Sequence, residues 1–235
     1  MTIINSLWIG KLSTLEKLSI VSHLKNGHAY HLWSYSTMDV PDGVVLKDAR
    51  DILPESQVFM YSGPESEGGG SPSGFSNLFR YKLLSEIDEW WCDTDVVCLK
   101  SFDFSAPYVI ATEEDDVPTT CVIRAPREIM RKCYEEAASK NVRELKWGEI
   151  GPFLFGEAIK DLREYFVKPS TFCPIHWQEA HKALTDVECD SYAVHLWNEM
   201  WRRMGCNKNA TYNSSSLYER LKERYLGRQH KPMML

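Results

Sequence analysis

Two carboxylates one residue apart, Asp93 and Asp95, interrupt an otherwise apolar, β-prone run: Trp90-Trp91-Cys92 precedes them and Val96-Val97-Cys98-Leu99 follows. In extended chain, residues i and i+2 face the same side, so both carboxylates converge on one point. Two like charges held between hydrophobic flanks repel each other and lose hydration unless a positive group joins them. A hard divalent cation with oxygen ligands, Mg²⁺ or Mn²⁺, is the natural partner, with positions to spare for a substrate diphosphate. Asp-x-Asp alone occurs on many turns and surface strands; here its surroundings give it weight.

At 235 residues, 43% hydrophobic and 26% charged, the chain has the composition of a globular protein with one full core. A net charge of −6 lacks the basic footprint of nucleic-acid binding. Its seven cysteines form no Cys-x-x-Cys pair and are odd in number, which reads as free, mostly buried thiols in a reducing compartment. The N-terminal MTIINSLWIGKLSTLEK has neither the basic start nor the apolar core of a signal peptide, and no run approaches a membrane span. A cytoplasmic protein is expected.

Apolar runs predict strands over 3–9, 30–35 and 44–46, with a helix over 13–26 capped by Ser13 between the first two. Strand, helix, strand at this spacing implies a βαβ unit and a parallel sheet. Further helices are expected over 48–53, 75–87, 126–138, 151–166 and 176–183. Further strands are expected over 108–112 and 120–124, around the acidic loop 113–116, with a last strand or turn over 193–197. Segment 62–74 (SGPESEGGGSPSG) is the one low-complexity stretch and reads as a mobile loop, either a linker or a cover for a ligand. The fold class is α/β, one mixed, mostly parallel central sheet flanked by helices.

The segments FSNLFRYKLL, WWCDTDVVCL, WGEIGP and AVHLWNEMWR together resemble the glycosyltransferases with a DXD sugar-binding region, over roughly residues 4–202. Relatives include α1,4-galactosyltransferases, the fungal initiating α1,6-mannosyltransferase, bacterial polysaccharide transferases and, more distantly, the glucosylating clostridial toxins. The resemblance implies a GT-A fold over 1–205, a basic helical tail over 206–235, and a divalent metal, Mn²⁺ with Mg²⁺ as the alternative. It also implies a nucleotide-sugar donor, a UDP-sugar being favoured, and retention of anomeric configuration.

Residue by residue, the resemblance assigns Asp93 to the ribose and metal, Asp95 to the metal, and His195 to the metal or diphosphate. Trp8 would stack on the nucleotide base; on its own it equally fits a core plug. Asn77 and Arg80, three apart on one helix face, would grip donor hydroxyls and phosphate, although relatives commonly have Asp at the place of Asn77. Gly151 and Pro152 match a Gly-Pro element facing the sugar, and Trp197, Asn198 and Trp201 would line a lid near the diphosphate. Glu149 is an acceptor-side base or simply a partner of a helix N-terminus. Asp88-Glu89 stand where relatives often have Gly-Gly.

The resulting expectation is a retaining hexosyltransferase acting on a glycan or lipid-linked acceptor in polysaccharide or lipopolysaccharide synthesis. Two other readings stand beside it: an effector-like transferase that glycosylates a protein, and a non-catalytic nucleotide-sugar-binding module. Arg202, Arg203, Lys208, Arg220, Lys222, Arg224, Arg228 and Lys231 against Glu219 and Glu223 make the C-terminal stretch basic. It is either a solvated helix face or a peripheral contact with the inner face of an anionic membrane.

Overall fold

The computed structural model describes residues 1–227; Arg228 and Lys231 of the basic stretch lie outside the described residues. Strand β1 (Ile3–Leu7) leads to helix α1 (Thr14–Lys25) and back to β2 (Ala29–Ser34) and β3 (Val44–Asp48). Helix α1 starts where Ser13 and Glu16 cap each other's backbone in a reciprocal box. Then come α2 (Ser73–Glu86), β4 (Trp90–Cys92), β5 (Val96–Cys98) and the hairpin β6 (Val109–Glu114)–β7 (Val117–Arg124). Beyond it lie α3 (Arg127–Ala138), α4 (Leu154–Ala158), α5 (Pro169–Phe172), β8 (Ala193–His195), α6 (Asn198–Arg203) and α7 (Leu217–Leu226).

The main sheet runs β3-β2-β1-β4-β7-β6. Strands β3, β2, β1 and β4 are mutually parallel, β7 opposes β4, and β6 opposes β7, which returns it to the first direction. This is the mixed, mostly parallel α/β arrangement that the resemblance implied. Alternation along the strands divides the core: Trp91 and Ile123 pack under α2 and α3, whereas Trp90, Cys92 and Val122 face the aromatic cluster of Phe102 and Phe172. Strand β5 leaves the main sheet and pairs antiparallel with β8, Val96 opposite His195.

Several expected elements differ. Segment 48–53 makes only a 3₁₀ turn, Ala49–Asp51. The helix expected over 151–166 is broken into a π turn, Glu149–Phe153, then α4, then a 3₁₀ stretch, Lys160–Tyr165, because Pro152 lacks a donor and Gly151 leaves helical φ/ψ. The helix expected over 176–183 is 3₁₀, Trp177–Leu184. Segment 62–74 is packed: Tyr61 N donates to Ser71 O at 3.0 Å and Gly70 N to Tyr61 O at 2.9 Å. Gly68, at φ +95°, lies flat on Trp147, where a Cβ would sit 2.1 Å from the indole.

The C-terminal stretch is knit into the domain. Leu217, Tyr218, Leu221 and Tyr225 of α7 share a buried cluster with Leu15 and Leu18 of α1. Its cations are largely spoken for: Arg202 meets Glu199 and Glu65, Lys208 meets buried Glu16, Arg220 meets Asp186 and Glu188, and Lys222 meets Glu219. No described helix is long and apolar enough to cross a membrane.

Candidate active site

Sheet register sets the site. Asn5 of β1 is level with Trp91 of β4, and Trp8 and Asp93 each follow the last residue of their strand, at the carboxyl ends of the parallel strands, where open α/β sheets bind ligands. Asp93 continues the β4–β7 ladder, its N–H donating to Cys121 O at 2.8 Å. Its Oδ1 accepts from Trp91 Nε1 at 2.8 Å, two residues back on the same side of the strand, and from Arg80 Nη2 at 2.9 Å. Asp95 sits at the turn into β5. Pairing with β8 carries His195 Nε2 to 3.3 Å from Asp95 Oδ2, and the same oxygen accepts from Asn198 N at 2.7 Å.

Trp197, between these residues, adopts a left-handed backbone at φ 56°, a conformation that costs a bulky residue on the order of 1–3 kcal/mol. It lays its ring on His195, centroids 3.8 Å apart, and donates Nε1 to Ile175 O at 2.7 Å.

The electrostatics are uneven. Burial pushes the Asp93 carboxyl up, Arg80 opposes this, and the charge of Asp95 adds to it. Burial acts on Asp95 in the same direction, but His195 and the Asn198 N–H outweigh it and hold that carboxyl below its usual range. Burial also works against a charged imidazole, yet Asp95 raises His195 well above its ordinary value. Asp93, Asp95 and His195 each offer a ligand atom, all within 4.8 Å of one another. Two carboxylates and one imidazole suit a borderline-hard divalent cation such as Mn²⁺, so the donor set fits the expected metal.

The other expected site residues divide. Arg80 and Asn77 are buried behind Asp93. Arg80 spends Nε on Ser76 O, Nη1 on Thr120 O and Nη2 on Ser76 Oγ and Asp93, so it braces the carboxylate and does not reach outward. Asn77 Oδ1 accepts from Thr120 Oγ1 at 3.2 Å, and its Nδ2 would lie 2.7 Å from a Cβ at Gly151, which explains the glycine. Tyr81 holds Gly151 O at 3.2 Å, fixing the turn before Pro152.

Trp8 is half-buried, with Lys208 Nζ 5.1 Å above its ring and no partner for Nε1 among the described residues. A cavity of about 340 Å³, which Trp8 itself does not line, is formed by Gly10, Lys11, Leu12 and Lys17 with Ser36, Thr37, Met38 and Asp39. Trp201, expected to line a lid, is instead fully buried against Tyr218, because α6 turns its apolar face inward. Glu149 accepts from Lys146 N at 3.1 Å, a capping contact. Glu89 accepts from Asn5 Nδ2 at 2.7 Å, and Asp88 is 3.8 Å from Arg124.

Sequence reasoning missed the brace from Trp91, the Asn198 N–H and the thiols of Cys121 and Cys173 behind His195. Alternation of Trp91 and Asp93 was a usable signal for the first; the others depend on the β5–β8 pairing, which no local pattern reveals.

Residues 123–226 match the family model described as the alpha 1,4-glycosyltransferase conserved region. No curated protein matches the chain. Among solved structures, one titled "PaToxG Glycosyltransferase" is similar over 97% of this chain and 86% of that one, at 15% identity and a TM-score of 0.47. The family match spans the stretch from the end of β7 to the end of α7, somewhat less than half of the chain. That stretch contains Gly151, Pro152, His195 and Asn198; Trp8, Arg80, Asp93 and Asp95 lie before it.

Proposed function

We propose that the chain is a retaining, metal-dependent glycosyltransferase that moves a sugar from a nucleotide-sugar donor, a UDP-sugar being favoured, to a glycan hydroxyl, free or lipid-linked. The observation that carries this reading is the convergence of Asp93, Asp95 and His195 within 4.8 Å at the carboxyl end of the parallel strands. A bound Mn²⁺ or Mg²⁺ would offset the charge of the donor diphosphate and of the departing nucleoside diphosphate.

The chain's own residues do the positioning. Arg80 and Trp91 fix one oxygen of Asp93, and His195 and the Asn198 N–H fix one oxygen of Asp95. Trp8 offers a flat face to a base, and the cavity that follows it in the chain carries the cation of Lys11, Lys17 being paired there with Asp39 at 3.5 Å. In the transfer, the bond from the anomeric carbon to diphosphate oxygen breaks and one to the acceptor oxygen forms. The acceptor proton passes to a donor phosphate oxygen; retention is carried over from the resemblance.

The test is a panel of nucleotide sugars with Mn²⁺, scoring nucleoside diphosphate release with and without EDTA, for wild type and Asp95→Ala. Metal-dependent release from one donor, lost in the variant, is expected. A second reading, a nucleotide-sugar-binding module without turnover, is favoured by the internal engagement of Arg80. Tight donor binding with every donor left intact would select it.

A further inference from the structure

His195 has a second face. Its Nε2 addresses Asp95, but Nδ1 points the other way, 3.9 Å from Cys173 Sγ, and Cys173 Sγ lies 3.7 Å from Cys121 Sγ. All three residues are buried and their donor atoms lie within 4.8 Å of one another. Both thiols are free. Cys121 is held by β7 next to Asp93, and Cys173 closes the short helix α5, so the backbone brings them together from distant parts of the chain.

These separations resemble the edges of a coordination tetrahedron. With metal–sulfur bonds of about 2.3 Å and metal–nitrogen bonds of about 2.05 Å, a tetrahedral centre sets sulfur–sulfur edges near 3.8 Å and sulfur–nitrogen edges near 3.5 Å. The thiol pair meets the first value within a tenth or so, and the sulfur–imidazole edge needs only a small contraction. The other ring nitrogen is already arranged as a metal-binding histidine requires: Nε2–H donates to a carboxylate, Asp95, so that when a cation displaces the Nδ1 proton the ring is left as the tautomer that ligates through Nδ1. Sulfur and imidazole donors select a soft or borderline cation, whereas the Asp93–Asp95 side selects a hard one.

We infer that Cys121, Cys173 and Nδ1 of His195 form a second cation site, for Zn²⁺ or a cation of similar softness, backing onto the carboxylate pair through one shared imidazole. Three protein donors leave one position of the tetrahedron for water. Binding converts the two thiols to thiolates and removes the Nδ1 proton of the imidazolium, the three protons passing to solvent with no electron transfer. A cation on Nδ1 keeps the Nε2 proton on Asp95, so occupation of the rear site takes His195 away from any cation on the carboxylate side.

Co²⁺ is the probe, titrated into the reduced full chain. A sulfur-to-cobalt charge-transfer band is expected, displaced by one equivalent of Zn²⁺, lost in Cys121→Ser and in Cys173→Ser, and kept in Cys98→Ser and Asp93→Asn. Asp95→Asn should weaken binding by about 10–100-fold without abolishing the band. Cobalt binding with no thiolate band, or a band that survives both Cys121→Ser and Cys173→Ser, overturns the site. Should those variants misfold by circular dichroism, zinc-edge X-ray absorption on the wild type decides. Two sulfurs and one imidazole nitrogen around zinc uphold the site, and a shell of oxygen and nitrogen alone overturns it.

Discussion

Two buried histidines meet the same residue of β5 and end in opposite protonation states. His23, in α1, donates Nε2–H to Val96 O at 3.2 Å; His195, in β8, pairs with Val96 across the ladder. Burial pushes His23 down to about 3, and the like charge of His28 works in the same direction. His195 is driven well above its ordinary value although burial opposes this, because Asp95 faces it. The surroundings of His23 are aromatic, with His28, Tyr30 and Phe102 at ring distances of 5.5–5.7 Å. Burial alone removes charge, and an opposed carboxylate restores it. The carboxylate centre is thus kept ionic inside a fold that neutralises comparable groups a few residues away.

The largest effect should follow from removing the carboxylate that separates the two cases. Asp95→Ala deletes one metal donor and the counter-charge of His195, so metal-dependent nucleoside diphosphate release should fall by about 10³-fold. In the same variant, without added metal, the imidazole of His195 should titrate below 6.5 by nitrogen NMR, as His23 does; an unchanged His195 would refute the contrast. Next in size is His195→Ala, which leaves Asp95 buried without its partner. The expected cost is about 3 kcal/mol in urea unfolding at pH 7, and a cost near zero would mean that the pair is not ionic.

His23 supplies a pH-dependent test. Its folded value of about 3 lies below the ordinary 6.5, so the unfolded chain binds the extra proton as pH falls. The stabilisation is complete above 6.5 and is lost progressively from there toward 3. Between pH 7 and pH 5 the loss from this one group is about 2 kcal/mol. Urea unfolding of His23→Gln should show a correspondingly flatter pH profile than wild type, whatever its absolute stability. Equal slopes would place the acid sensitivity elsewhere.

How much of this could be read from the chain follows from the range of each interaction. The βαβ start and the strand on each side of Asp93 and Asp95 were legible because alternation, the Ser13–Glu16 box and apolar runs are local signals. The stretch 151–166 was read as one continuous helix because amphipathic spacing survives where Pro152 and Gly151 divert the backbone. Segment 62–74 looked unpackable by composition; its glycines instead allow the close approach to Trp147 that a side chain would prevent. Arg80 was legible as a site residue but not as a brace, since its acceptors Thr120 and Asp93 are 40 and 13 positions away. The ring of Trp201 pointed to a ligand only by resemblance, and burial of α6 reassigns it to the core.

The smallest effect belongs to the ion pair that ties segment 62–74 to α6. Arg202 Nη1 lies 2.8 Å from Glu65, whose side chain is 68% exposed, while Arg202 Nε and Nη2 are already held by Glu199. Removing Glu65 therefore strands no buried charge, unlike removing His195, and leaves the guanidinium with two of its bonds. Exposed pairs of this kind are worth up to about 0.5 kcal/mol and fade as salt screens them. Glu65→Gln should lower stability by no more than that at low ionic strength and by nothing measurable at high salt. A loss approaching that of His195→Ala, persisting in salt, would show that pairing at this rim is as structural as pairing in the interior, and that burial is not what separates the two.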